Sequence, residues 1–295
     1  MAAVWTSSFG ILVVCWTLRE VFNDLFQPSA SGSLSSFVSR RLFQLGKRAR
    51  WMLSSAGPLS VVVVIFSWAL LIGIGFAFIF WARFPGGFVN TSGEHQGPVG
   101  RFWSVLYFSL TTLSTLGSTA FNPQGNWIRI VTSIESLIGI CLITASITWI
   151  VLIYPALGRM RTLARRVSTV ARAQKQTGVD LLAGNGEELL AELAANVLRT
   201  RVDFIHFPII YYFHADTEGT SLGHFLVQLH ELAGRASDGN RPEETRLGAA
   251  VLRVSLEDMA DVLADRFVTG SDPKDPRSVF EAVATDHLER HAKHK

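Results

Sequence analysis

The feature that most constrains this chain is a polar run caught between two apolar segments of membrane length. Residues 107–123 (YFSLTTLSTLGSTAFNP) are uncharged and rich in threonine, serine and glycine. Before them, residues 58–82 carry no charge; after them, residues 130–157 carry only Glu135. At a rise of about 1.5 Å per residue, either apolar segment can cross a hydrocarbon core of about 30 Å as a helix. Non-helical backbone is tolerated at membrane depth only where protein buries it or a water-filled cavity faces it. A chain that places such a run between two spans has to enclose it within an assembly, so oligomerisation follows from the chemistry.

The run begins with helical character. Residues 102–113 carry aromatic bulk, and Trp103, Tyr107 and Phe108 can wedge a short helix against its neighbours by simple packing. Next come Thr115, Leu116, Gly117, Ser118, Thr119 and Ala120. A dehydrated cation needs oxygens in place of its water, and rings of backbone carbonyls from several subunits provide them. Thr115, Leu116 and Gly117 can supply such carbonyls, and the partially negative C-terminal end of the preceding helix favours a cation nearby.

With these residues in view, the run resembles the pore of the potassium channel family, where a pore helix ends in a threonine-rich turn that leads into TVGYGD. The resemblance covers residues 107–123 without a gap. It continues into the next helix, where Glu135 and Gly139, one helical turn apart on one face, are similar to a Glu-x-x-x-Gly element of that family's inner helices. It implies an all-α membrane protein with a tetrameric pore-loop channel fold: outer helix 58–82, pore loop 101–125 with pore helix and filter, and inner helix 127–157. It further implies an ion-conducting filter of Thr115, Leu116, Gly117, Ser118 and Thr119, a homotetramer, K+ or Na+ as the permeant monovalent cation, and no cofactor.

The departures from the family pattern bear on selectivity. Thr119 stands where the family has its second glycine, whose backbone angles a β-branched residue adopts only with strain. Ser118 replaces the tyrosine that packs behind the filter, and Ala120 removes the carboxylate at the mouth. Losing outer carbonyl sites weakens discrimination of K+ from Na+ while leaving a cation pathway. The alternative is a non-conducting membrane sensor or scaffold that retains the channel fold.

An ionisable residue inside a span needs a partner, because burying its charge is costly. Glu135 is expected to brace the pore helix or filter through groups such as Thr112 or Ser114, with direct ion binding as the second reading. Gly139 is read as a close-packing point or hinge of the inner helix. Thr144, Ser146 and Thr148 face an inner cavity or satisfy backbone. Pro155 is expected to end or kink the inner helix near the cytoplasmic surface. Ala69, Gly73 and Ala77 repeat at one-turn spacing on the outer helix and permit close approach of another helix.

Residues 1–26 form an N-terminal transmembrane or interfacial helix; no positive charge precedes the apolar run of residues 2–18, which speaks against a cleaved leader. Arg40, Arg41, Lys47, Arg48 and Arg50 lie in a basic linker, residues 27–57. Arg159, Arg161, Arg165, Arg166, Arg172 and Lys175 lie in a basic amphipathic helix, residues 158–176. Basic connecting segments accumulate on the cytoplasmic side, which puts the pore mouth outside and residues 177–295 in the cytoplasm of a plasma-membrane protein. The basic helix also suits anionic lipid.

Residues 177–295 read as a helical cytoplasmic domain, from apolar spacing over residues 187–205, 220–236 and 244–268 and a last helix from about Arg277. Gly184, Asn185 and Gly186 lack the third glycine of a dinucleotide turn. His206, His214, Asp216, His224 and His230 fit no zinc spacing, so no metal is expected. Cys15 and Cys141 both lie in apolar runs and form no disulfide framework. No nucleophile, metal or phosphate motif points to an enzyme, and the partners are the bilayer and cations, not nucleic acid.

Overall fold

The computed structural model describes residues 2–26, 33–46, 53–90, 98–117, 121–184, 186–213, 221–268 and 270–288. Lys47, Arg48, Arg50, Ser118, Thr119, Ala120, Asn185, His214 and Asp216 lie outside the described residues. The helices are α1 (Ala2–Phe26), α2 (Ser33–Gly46), α3 (Leu53–Trp81), α4 (Pro98–Leu113), α5 (Asn126–Thr177), α6 (Gly186–His206), α7 (Leu222–Ala236), α8 (Glu243–Arg266) and α9 (Pro276–Leu288). Two of them are long and apolar enough to cross a membrane, Gly57–Trp81 within α3 and Asn126–Thr177, which is α5. The chain is thus mostly helical. One departure is a short antiparallel ribbon of β1 (Phe88–Asn90) and β2 (Phe121–Pro123), pairing Val89 with Asn122.

The chain divides into two compact units: residues 1–38 with 60–151, and residues 39–59 with 152–295. In the first, α3 buries one face through Val64, Trp68, Ile72, Phe76 and Phe80, while Val62, Phe66 and Leu70 on the other face stay exposed. Trp68 meets Trp149 of α5 with ring centroids 5.2 Å apart. Phe80, Phe88 and Phe108 form an edge-to-face cluster that joins α3, β1 and α4. Small residues set the helix spacings. A Cβ on Gly75 would fall 2.6 Å from Val14 of α1, and one on Gly73 would fall 2.7 Å from Leu110 of α4.

The inner helix and the basic helix, expected as separate pieces, form one helix of 52 residues that continues through Pro155. Proline removes one intrahelical hydrogen bond, but Ile153, Ala156, Leu157 and Met160 on both sides of it are buried and hold the helix through the gap.

In the second unit α5 is joined to α6 by charge. Asp203 of α6 is 7 % exposed and accepts two bonds from Arg159, 2.8 Å from Nε and 2.6 Å from Nη2. Two turns further on, Arg166 pairs with Glu192. The order of these pairs makes α6 antiparallel to this part of α5 and gives two of the basic residues a protein partner in place of lipid. Removing one partner of a buried ion pair costs about 3–5 kcal/mol, and an exposed pair contributes about 0–1. Arg159 is half exposed, so Asp203→Ala is expected to destabilise this unit by about 1–2 kcal/mol, between those limits. A melting midpoint unchanged from the parent chain would show that the pair contributes nothing.

The described residues within 39–59 (39–46 and 53–59), expected as part of a separate linker, group with the helical second unit. Phe43 of α2 packs against Tyr212 and His287, with ring centroids 5.3 and 5.8 Å away, and Gly57 lies against the Phe213 ring. The aromatic run around Pro208 is core: a 3-10 turn, Pro208–Tyr212, buries Ile209 to Tyr212. Tyr211 stacks on Phe267 at 4.2 Å and donates to Asp286 Oδ2 at 2.7 Å. Burial, then the neighbouring Asp286 carboxylate, hold the Tyr211 phenol well above its ordinary range, so it remains a donor.

Glycines also fix the distances within the four-helix part. Gly248 lets α8 approach Leu190 of α6, and Gly223 lets α7 approach the backbone of α9 at Ala284. A Cβ on Gly223 would stand 2.3 Å from Ala284 N. Because backbone cannot move aside as a side-chain tip does, Gly223→Ala is expected to cost at least about 1–3 kcal/mol and to raise amide exchange along α9. Unaltered exchange there would contradict this packing. Among the described residues no group of His, Cys, Asp and Glu is arranged to hold a metal; His224 pairs with Gln228 instead.

Candidate functional site

The site is built on α4, whose buried face carries Val105, Phe108, Ser109, Thr112 and Leu113. Pro98 suits the helix start, where its missing N–H has no intrahelical role. The helix stops at Leu113, and the chain turns through Thr115 at φ +62° and Gly117 at φ +72°. Glycine adopts this left-handed region freely. A β-branched threonine adopts it only with strain, and residues held in this way cluster at functional sites.

The turn folds back onto the end of the helix. Ser114 N donates to Leu110 O at 3.0 Å, Thr115 N to Thr112 O at 2.9 Å, and Gly117 N to Thr111 O at 3.1 Å. The carbonyls left over at the end of α4 are thereby used. With these amides turned inward, no donor among the described residues takes the carbonyls of Thr115, Leu116 or Gly117. Leu116 is 81 % exposed, and no other described residue lies within 4 Å of a Cβ placed on Gly117. Among the described residues, three successive backbone carbonyls thus have no donor at a turn between two membrane-length helices.

Behind the turn, α3, α4 and α5 meet at Glu135, which is fully buried. The Ser109 hydroxyl oxygen lies 2.5 Å from Glu135 Oε1 and 2.8 Å from the Gly73 carbonyl oxygen. One turn along both helices, a Cβ on Gly139 would stand 1.9 Å from Leu113 O. Glu135 and Gly139 thus hold successive turns of α4. The groups expected to partner Glu135 are engaged locally: Thr112 Oγ1 donates to Phe108 O at 2.8 Å and Ser114 Oγ to Thr111 O at 3.1 Å. The partner is Ser109, which sequence reasoning did not single out. The signal for it was spacing, since Ser109 precedes Leu113 by the same interval that separates Glu135 from Gly139.

Further along α5, Thr144 and Thr148 are exposed and donate to the carbonyls of Ile140 and Thr144, while Ser146 is buried and donates to Leu142 O. An apolar face of α5, including Ile130, Ile134, Leu137 and Ile147, is exposed on the single chain.

Two membrane-length helices, a short helix between them and a tight turn at its end are the parts of a pore-loop channel domain. Residues 61–154 match the ion channel family, so this stretch is a domain of that family, the pore-loop channels that include potassium channels. The family is one of channels and not of enzymes. The chain is also similar over 219 residues to an uncharacterized membrane protein, YdjJ, of Bacillus subtilis (strain 168). The identity is 25 %, covering 70 % of this chain and 61 % of that protein, so the similarity spans less than two thirds of the relative's length. No solved structure matches. The chain is a membrane protein with a channel domain.

Proposed function

We propose that this chain is one subunit of a homotetrameric monovalent cation channel of the plasma membrane, with Thr115, Leu116 and Gly117 forming the inner rings of its filter. The observation that supports this reading is the turn itself: its amides point back to α4, and no donor among the described residues takes its carbonyls. Four such turns around an axis give the oxygen rings that replace a cation's water. The exposed apolar face of α5 and the single-chain exposure of Leu116 then become surfaces for neighbouring subunits and the pore axis.

Ser118 and Thr119 continue the filter outward, and with no second glycine and no tyrosine there the channel discriminates weakly between K+ and Na+. The basic residues of α2 and α5 support a cytoplasmic second unit, and gating acts through that domain, to which α5 contributes its residues beyond 151. The reading is tested by reconstituting the full chain in liposomes, measuring its mass in detergent and following Na+ and Rb+ uptake. A tetramer that admits both ions supports it. A monomer, or a tetramer that admits neither, contradicts it and returns the chain to a sensor or scaffold.

A further inference from the structure

The contact of Gly73, Ser109 and Glu135 sets a problem of hydrogen counting. A serine hydroxyl has one hydrogen, a peptide carbonyl has none, and an ionised carboxylate only accepts. The Ser109 oxygen nevertheless lies within hydrogen-bond distance of both Gly73 O and Glu135 Oε1, at 2.8 and 2.5 Å. Its single hydrogen serves one of them. With an ionised Glu135, the other contact would set lone pair against lone pair.

A hydrogen on the carboxyl group removes the conflict. Glu135 then donates to Ser109 Oγ, and Ser109 donates to Gly73 O, so each short contact contains one hydrogen. The 2.5 Å separation falls in the range of O–H···O bonds. The surroundings agree. Glu135 is fully buried, and among the described residues its Oε2 has no hydrogen-bond partner and no cationic side chain pairs with it. An uncompensated charge so placed is among the costliest arrangements available to a protein.

We infer that Glu135 is carried as the neutral acid and acts as a hydrogen-bond donor, with Ser109 as a positioning residue that passes the bond to the outer helix. The relay ties α5 to α4 and α4 to α3 one turn before the carbonyl of Leu113 rests on Gly139. It places no negative charge behind the filter, so a cation there meets carbonyl dipoles alone, and Glu135 is not an ion-binding carboxylate. The consequence for permeation rests on the channel reading; the protonation of Glu135 does not.

The test is infrared difference spectroscopy on the full-length protein in lipid at neutral pH, wild type minus Glu135→Gln. The expected result is loss of one protonated carboxylic-acid C=O band, which moves on 13C-labelling of glutamate. In Ser109→Ala the band should persist at a higher frequency, because the carboxyl has lost its acceptor. If Glu135→Gln fails to fold, the shift between wild type and Ser109→Ala carries the same information. Loss of a carboxylate band in the first difference, or a Ser109→Ala spectrum that superposes on wild type, overturns the assignment. Neither readout depends on current, so a silent protein with this band would refute the channel and leave the relay intact.

Discussion

Gly139→Ala is expected to abolish the assembled pore. The added methyl would have to occupy a point 1.9 Å from Leu113 O and 2.9 Å from its carbonyl carbon, so either α5 or the end of α4 must move. Overpacking of a fitted interior costs about 1–3 kcal/mol even where side chains can yield, and here the obstacle is backbone. The displaced segment is the one whose carbonyls of Leu110, Thr111 and Thr112 anchor the turn at Ser114, Thr115 and Gly117. The variant should therefore lose both tetramer stability in detergent and cation flux. Wild-type values of both would show that α4 and α5 do not meet at this point. Close packing at Leu113 O accounts for a glycine at position 139 without any need for a hinge.

Gly117→Ala is expected to act differently, changing permeation while leaving the subunit fold intact. No other described residue lies within 4 Å of the new methyl, so the packing of α4 and α5 is undisturbed. The cost lies in the backbone, because an L-residue at φ +72° is disfavoured by about 1–2 kcal/mol. The turn can relieve that strain by rotating the peptide, which breaks the bond from Gly117 N to Thr111 O and swings a carbonyl away from its ring. Current should disappear, or its ion preference should change, with helix content unchanged and the melting midpoint lowered by only a few degrees. A melting midpoint that fell as far as that of Gly139→Ala would place Gly117 in the packed core instead.

The two membrane-length helices and the pore helix were legible because charge-free length and a threonine-rich turn are local properties of the sequence. The sharing of one face by Glu135 and Gly139 was legible for the same reason, since helical periodicity alone gives it. The identity of Glu135's partner was not, because that depends on how α4 is rotated against α5. Thr112 and Ser114 are polar residues near the turn and looked suitable, yet each spends its hydroxyl on a carbonyl of its own segment. The passage of α5 through Pro155 was hidden because burial on both sides outweighs a local rule. The ribbon of β1 and β2 is three residues wide on each side, too short for alternation to register. The grouping of residues 39–46 and 53–59 with the second unit depends on Phe43 and Gly57 meeting aromatic rings that lie far away in sequence.

The central claim is that Thr115, Leu116 and Gly117 line an ion pathway, and planar-bilayer recording of the purified full chain in a K+/Na+ gradient tests it most directly. Unitary currents are predicted, with a reversal potential close to zero because K+ and Na+ both pass, and with Gly117→Ala abolishing or altering them. A folded tetramer that stays silent under changes of voltage, pH and Ca2+, or currents that Gly117→Ala leaves untouched, would contradict it.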